Sequence, residues 1–196
     1  MEQVKAGSKK EQTRERILRA AARAIRKYGY EGVGVADVMK DAGLTHGGFY
    51  AHFDSRDALL AAAAEKAGLE SAESLSRALA KATPGDELMA IVDMYLADSH
   101  VTAAEQGLGC AIAAAGTEVP RQCPEVRRAV SRRIKELIGL IEQQLPEWGK
   151  SAAHEKAMSV VATLIGALLL ARAVDDPQLS KGIRKSAREL VRGAAG

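Results

Sequence analysis

The sequence predicts an all-α fold, on three observations. Ala and Leu are abundant within a 47% apolar composition, and Pro occurs only five times in 196 residues. No stretch shows the Val/Ile/Thr alternation that a half-buried strand requires. Apolar residues instead recur at spacings of three and four, as in helices that bury one face. That apolar fraction is ample for a core, in one domain or two small ones.

The first helix starts at Ser8-Lys9-Lys10-Glu11, a capping box in which the Ser8 hydroxyl and the Glu11 side chain satisfy each other's backbone amides. Ile17, Leu18, Ala21, Ala22, Ile25 and Tyr28 fall on one face, Arg16, Arg19, Arg23, Arg26 and Lys27 largely elsewhere, and Gly29 stops the helix. A short second helix runs from Val35 to Ala42 with Val35, Val38, Met39 and Ala42 as its stripe, and Gly43 turns the chain. Thr45 is placed to cap a third helix in which Leu44, Phe49 and Phe53 point inward. Two short helices joined by a glycine turn and packed on a longer one make a helix-turn-helix, although any helical hairpin can use Gly43 in this way.

Ser55 caps a fourth helix that continues through Leu59, Leu60, Ala63 and Ala67 toward Ala82. Thr83-Pro84-Gly85-Asp86 then reads as a cap, a proline at the first helical position and an acid in the first turn. The helix it opens carries Leu88, Ile91, Val92, Tyr95 and Leu96 and is expected to reach Ser99. After a polar stretch, Cys110 to Ala115 is small and apolar enough for close packing, and Pro124 restarts the chain as a long helix to Leu145. Its stripe is Val126, Val130, Ile134, Leu137, Ile138, Ile141 and Leu145, with Arg127, Arg128, Arg132, Arg133 and Lys135 outside as a solvated face. A strongly apolar helix from Ala152 to Val174 follows, and Asp176-Pro177 opens a last one carrying Leu179, Ile183, Ala187, Leu190 and Val191.

The run from Ala157 to Val174 is broken by Ser159, Thr163, Gly166 and Arg172, which suits a buried helix better than a membrane span. Only Cys110 and Cys123 occur, with no Cys-x-x-Cys pair, and no apolar leader follows the basic N-terminus, so a cytoplasmic protein without a membrane partner is expected. Net charge is +3, yet residues 1–30 hold nine Lys/Arg against three acidic residues while residues 61–196 balance. That asymmetry fits an N-terminal portion that meets a polyanion, and it fits a solvated basic helix face as well.

The third helix favours the polyanion. A glycine inside a helix costs about 1 kcal/mol relative to alanine, so Gly47 and Gly48 together give up about 2. Bare glycine lets another surface approach the backbone, and a major groove is such a surface, with His46 at the helix start facing base edges. Tyr50 and His52 would flank as donors to phosphates, and Arg56 just inside the next helix could reach another.

These residues resemble the TetR family of transcriptional repressors. The match covers Lys27-Tyr28-Gly29-Tyr30, Val35-Ala36-Asp37-Val38, Ala42-Gly43-Leu44-Thr45, Gly47-Gly48-Phe49-Tyr50, His52-Phe53 and Ser55 to Leu60. The resemblance implies a DNA-binding domain at 1–54 and an effector-binding and dimerisation domain at 55–196. It puts His46, Gly47 and Gly48 at the base-reading start of the recognition helix and Tyr50, His52 and Arg56 at phosphate-gripping positions. Gly34 stands where the family usually has a Ser or Thr cap, and Gly48 where it often has Thr or Ser. A homodimer bound to a palindromic double-stranded operator and released by a small-molecule effector is the implied mode of action.

Tyr95, His100, Cys110, Ile112 and Met158 are the expected lining of the effector pocket, each being also an ordinary core residue type. Gly109-Cys110 followed by Glu118-Val119 and the Pro124 helix resembles regulators that sense electrophiles through a cysteine; such a thiol would need stabilisation as a thiolate, and Cys123 could act as its resolving partner. No metalloprotease, nucleophile-elbow, P-loop or dinucleotide motif occurs, so neither enzyme activity nor a cofactor or metal is expected. The rival reading is a helical protein-interaction module without sequence-specific DNA binding.

Overall fold

The computed structural model describes residues 8–195, and among them it contains nine α-helices, three short 3-10 segments and no strand. Helix α1 (Lys9–Tyr28) begins at the capping box: the Ser8 hydroxyl accepts from the Glu11 amide and the Glu11 carboxylate accepts from the Ser8 amide. Helix α2 (Val35–Asp41) buries Val38 and Met39 and starts at Gly34 without a side-chain cap bond. The third segment differs from expectation, being a 3-10 helix, His46–Ala51, to which Thr45 gives no side-chain cap. Two glycines weaken helix propensity over six residues. Bonds from Gly48 N–H to the Thr45 carbonyl and from His52 N–H to the Phe49 carbonyl close the tighter turns.

Helices α3 (Arg56–Leu79), α4 (Glu87–Tyr95), α5 (Asp98–Thr102), α6 (Ala111–Ala115), α7 (Pro124–Glu142), α8 (Ser151–Ala173) and α9 (Pro177–Ala195) complete the chain. The Ser55 hydroxyl caps α3 by accepting from Ala58 N–H, and the Asp176 carboxylate caps α9 by accepting from the Gln178 and Leu179 amides. Thr83 and Pro84 do not start α4. Gly85 has φ 92° and Asp86 N–H donates to the Thr83 carbonyl, so these four residues form a tight turn with proline second and glycine third. Helix α4 also stops at Tyr95, short of Ser99, because Ala97 is extended and opens α5.

Two apolar clusters hold the molecule. One joins Ile17, Ile25, Met39, Phe49 and Phe53 to Leu59 and Leu60 of α3 and to Val126, Ala129 and Val130 of α7. The N-terminal helices therefore share their core with the body. The other is built by α4, α7, α8 and α9 around Ile91, Ile141, Leu164 and Leu168. Tyr28, expected on the apolar stripe, is 59% exposed with the Lys27 ammonium over its ring, and Tyr30 takes the buried place. Arg26, expected outward, is buried, as largely is Arg133, which pairs with Glu65 and Glu136.

By length and composition α8 could cross a membrane, yet Ala157, Val160, Leu164 and Leu168 put one side of it in the middle of the second cluster. Its other side leaves Met158, Leu169 and Leu170 exposed, beside exposed Leu179 and Leu190 on α9.

Candidate DNA-reading surface and effector cavity

The 3-10 segment is clamped from beneath. Phe49 and Phe53 are buried and stacked at 5.9 Å, and the Arg14 guanidinium lies 4.8 Å from the Phe53 ring centre. Tyr50 meets the edge of Phe49 at 5.2 Å but is 71% exposed, and His46 and Gly47 are exposed beside it. Neither Gly47 nor Gly48 has a positive φ. A Cβ at Gly47 would meet nothing within 4 Å, and one at Gly48 would meet only Met39 Cε at 3.6 Å, an ordinary contact. Nothing inside the chain requires glycine at either position. Lys9, Lys10, Arg14, Arg16, Arg19, Arg23 and Lys27 are exposed along α1, although Arg19 is paired with Glu15.

His52 is half-buried, and its Nδ1 is enclosed without a partner. Arg56, expected to reach a phosphate, is bonded within the chain. Its Nε donates to the Val33 carbonyl at 3.0 Å and its Nη2 to the Tyr30 carbonyl at 2.6 Å, so it ties the α1–α2 turn to α3.

Behind the head lies a cavity of about 610 Å³. Tyr95, His100, Cys110 and Ile112 all line it. Met158 does not: it is 42% exposed, although Ala157 beside it in α8 is buried. His100 Nδ1 is 2.7 Å from the Tyr95 carbonyl and its Nε2 accepts from Cys110 N–H at 3.1 Å, which assigns the proton to Nδ1. Burial lowers the His100 pKa, against the pull of the Tyr95 carbonyl, and the Arg172 charge adds to the fall. Gly109, at φ 84°, passes so close beneath this ring that a Cβ would stand 2.8 Å from His100 Cδ2.

Arg172 of α8 donates to the His100 and Val101 carbonyls at 2.7 and 3.2 Å and so straps α5 down. Burial, reinforced by the neighbouring Cys110, holds the Tyr95 phenol well above its usual range. Cys110 is 5% exposed and is the N-cap of α6, its sulfur accepting from Ala113 N–H at 3.5 Å. Among the described residues no group of three or more His, Cys, Asp or Glu side chains is placed to hold a metal ion.

Two cavity residues that the sequence reading did not single out come from the head. Tyr30 is one, its phenol pushed up to about 12 by burial and then by Glu118. Arg26 of α1 is the other. Its Nη2 donates to the Ala67 carbonyl at 3.0 Å and to Glu70 at 2.8 Å, and its Nη1 reaches the Gly107 carbonyl at 3.5 Å. A chain of charges, Arg26 to Glu70 to Lys66 to Glu15, runs along the α1–α3 seam. The signal was present: Arg26 stands four residues after Ala22 and eight after Leu18, on the buried stripe.

Comparison with known proteins agrees with this architecture. Residues 17–63 match the family described as bacterial regulatory proteins, tetR family, and residues 84–179 match the C-terminal domain described as transcriptional regulator LmrA/YxaF-like. An uncharacterised helix-turn-helix transcriptional regulator of Mycobacterium tuberculosis is 32% identical over 171 residues, covering 81% of this chain and 84% of the relative. The regulator LmrA of Bacillus subtilis is 28% identical over 165 residues, with 81% and 85% covered. Among solved structures, reduced NemR of E. coli superposes with a TM-score of 0.79 at 21% identity over 93% of this chain and 96% of that one. A TetR regulator of Chloroflexus aurantiacus gives 0.77 at 27% identity over 94% and 96%. With its helix-turn-helix head, its all-helical body and these relatives, the chain belongs to the TetR family of transcriptional regulators.

Proposed function

We propose that the chain is a homodimeric repressor that binds a palindromic operator and is released when a small molecule enters the 610 Å³ cavity. Residues 1–54 act as the DNA-binding part and residues 55–196 as the effector-binding and dimerisation part. The observation that carries this reading is the lining of the cavity: Arg26 and Tyr30 of the head share it with Tyr95, His100 and Cys110 of the body. An occupant can therefore press on the head without touching DNA. The exposed leucines of α8 and α9 supply an apolar face for a second copy. Two heads on a two-fold axis would read half-sites about 34 to 36 Å apart, or a multiple, and a tilt of either head spoils that spacing.

His46 and the glycine backbone face base edges in this reading, while Tyr50 and the exposed basic residues of α1 hold phosphates. The test is selection of an operator from random duplex DNA, followed by anisotropy titration at increasing salt. A palindromic preference with affinity falling steeply with salt is expected. Absence of sequence preference at every salt concentration would instead favour the protein-interaction module.

A second reading is favoured by Cys110, whose thiol lines the cavity beside Tyr95. An electrophile in the cavity would alkylate it; with iodoacetamide the C–S bond forms as the C–I bond breaks, and iodide and a proton leave. Operator release by iodoacetamide that is unchanged in Cys110→Ser would remove the thiol from the mechanism.

A further inference from the structure

The unmatched polar groups of the cavity specify what its occupant brings. Three lining side chains have an enclosed polar atom without a hydrogen-bond partner: the Tyr95 hydroxyl, Arg26 Nε and Arg133 Nε. Arg133 Nε lies 2.9 Å from the Glu65 carboxylate, so its charge is answered. Arg26 is also answered, by Glu70 at its Nη2, but its Nε is not bonded, and the Tyr95 hydroxyl has beside it only the Cys110 sulfur, a weak acceptor. Tyr95 is 4% exposed, and the Arg26 side chain is 2% exposed with its Nη2 committed to Ala67 and Glu70. Both can donate.

The oxygen and nitrogen acceptors around them are engaged elsewhere and are not bonded to either donor. Glu70 is taken by Arg26, Glu136 by Arg133, and His100 Nε2 by Cys110 N–H. The Ser71 and Ser74 hydroxyls are oriented to donate to carbonyls one turn back, Ser74 also accepting from Arg77, and neither is bonded to Tyr95 or Arg26. A buried donor without a partner is costly, and an occupant that supplies an acceptor removes that cost. Charge is disfavoured in the occupant, because the enclosed arginines are already paired with carboxylates and an ion would enter without a free counter-charge. Arg77, which also lines the cavity, is exposed to solvent.

We propose that the effector is an uncharged, largely apolar compound bearing a carbonyl-type oxygen, which accepts from the Tyr95 hydroxyl, and that Arg26 Nε–H serves a second acceptor. The proposal rests on the effector-cavity reading and names the chemistry of that site. Arg26 belongs to α1, so a ligand that engages it touches the DNA-binding head directly.

Benzophenone and diphenylmethane share one skeleton and differ by a carbonyl in place of a methylene. Equilibrium dialysis of each against the full chain is expected to show benzophenone bound about tenfold more tightly, the factor carried by one hydrogen bond to a buried donor. Tyr95→Phe keeps the ring and drops only a hydroxyl that has no oxygen or nitrogen partner, so the variant folds. It should erase most of the preference and leave diphenylmethane binding unchanged. Near-ultraviolet irradiation should attach benzophenone to cavity peptides, its excited carbonyl oxygen taking a hydrogen from a C–H bond and the two resulting carbon radicals joining. Equal binding of the two compounds, or a preference that survives in both Tyr95→Phe and Arg26→Lys, overturns the donor assignment and leaves the cavity reading standing. Attachment of benzophenone only outside the cavity, or no binding of either compound, overturns both.

Discussion

Gly47→Ala separates the needs of the folded chain from the needs of its partner. The added methyl meets no atom within 4 Å and the backbone has no positive φ, so the substitution introduces neither clash nor strain. It removes backbone freedom from the unfolded chain and is expected to stabilise the protein by about 0.5–1 kcal/mol. For a chain of this length, about 1 kcal/mol moves Tm by 2–4 °C. If Gly47 is there to let base edges approach, the same methyl holds the segment away from the groove, and operator affinity should fall about tenfold or more, about 1.4 kcal/mol. Thermal unfolding at one fixed protein concentration and anisotropy on the selected operator measure the two effects. Opposite signs are the expected result. Wild-type operator binding by a stabilised Gly47→Ala protein would refute close approach as the reason for the glycine.

His46→Ala should relax base preference, whereas Tyr50→Phe should weaken all duplexes about equally; a changed preferred operator in Tyr50→Phe would reverse the two roles. Arg56→Ala should lower stability by about 1–3 kcal/mol, since it strips donors from the Tyr30 and Val33 carbonyls, and Arg56→Lys should rescue only in part because an ammonium lacks the planar fork; urea unfolding checks both. His100 resists protonation in the folded chain, so its contribution to stability is complete above the unfolded pKa of about 6.5 and is lost as pH falls through that value toward the folded one. Unfolding free energy should therefore decline from about pH 6.5 to pH 5, with a flatter slope in His100→Gln.

The helix order, the head and most helix starts were legible because their signals are local. A capping box acts over four residues, so Ser8 with Glu11 places α1 correctly, and Ser55 and Asp176 do the same for α3 and α9. Where two local readings compete, the sequence is ambiguous. Thr83-Pro84-Gly85-Asp86 suits a helix start as well as a turn, and the left-handed Gly85 selects the turn. The 3-10 form of His46–Ala51 had its cause in view, two adjacent glycines, but propensity alone does not choose between helix types.

Burial was less legible, for a physical reason that Met158 illustrates. Helix α8 is apolar around most of its circumference, so its periodicity does not mark an inner face, and packing on α7 and α9 decides that Ala157 is buried and Met158 exposed. Arg26 and Arg56 show the same for charge. Their types point to solvent or phosphate, and only carbonyls and carboxylates contributed from distant elements turn them inward.

By itself, then, the sequence determined the all-helical class and the helix-turn-helix head with its anchors Phe49 and Phe53, whereas the pocket lining drawn from the resemblance included Met158, which the cavity does not. The tertiary structure alone decided that the cavity reaches α1 through Arg26, that its walls hold unmatched donors, and that Arg56 serves the turn. Local chemistry operates within one or two helical turns, whereas a cavity exists only where helices far apart in sequence fail to fill the space between them.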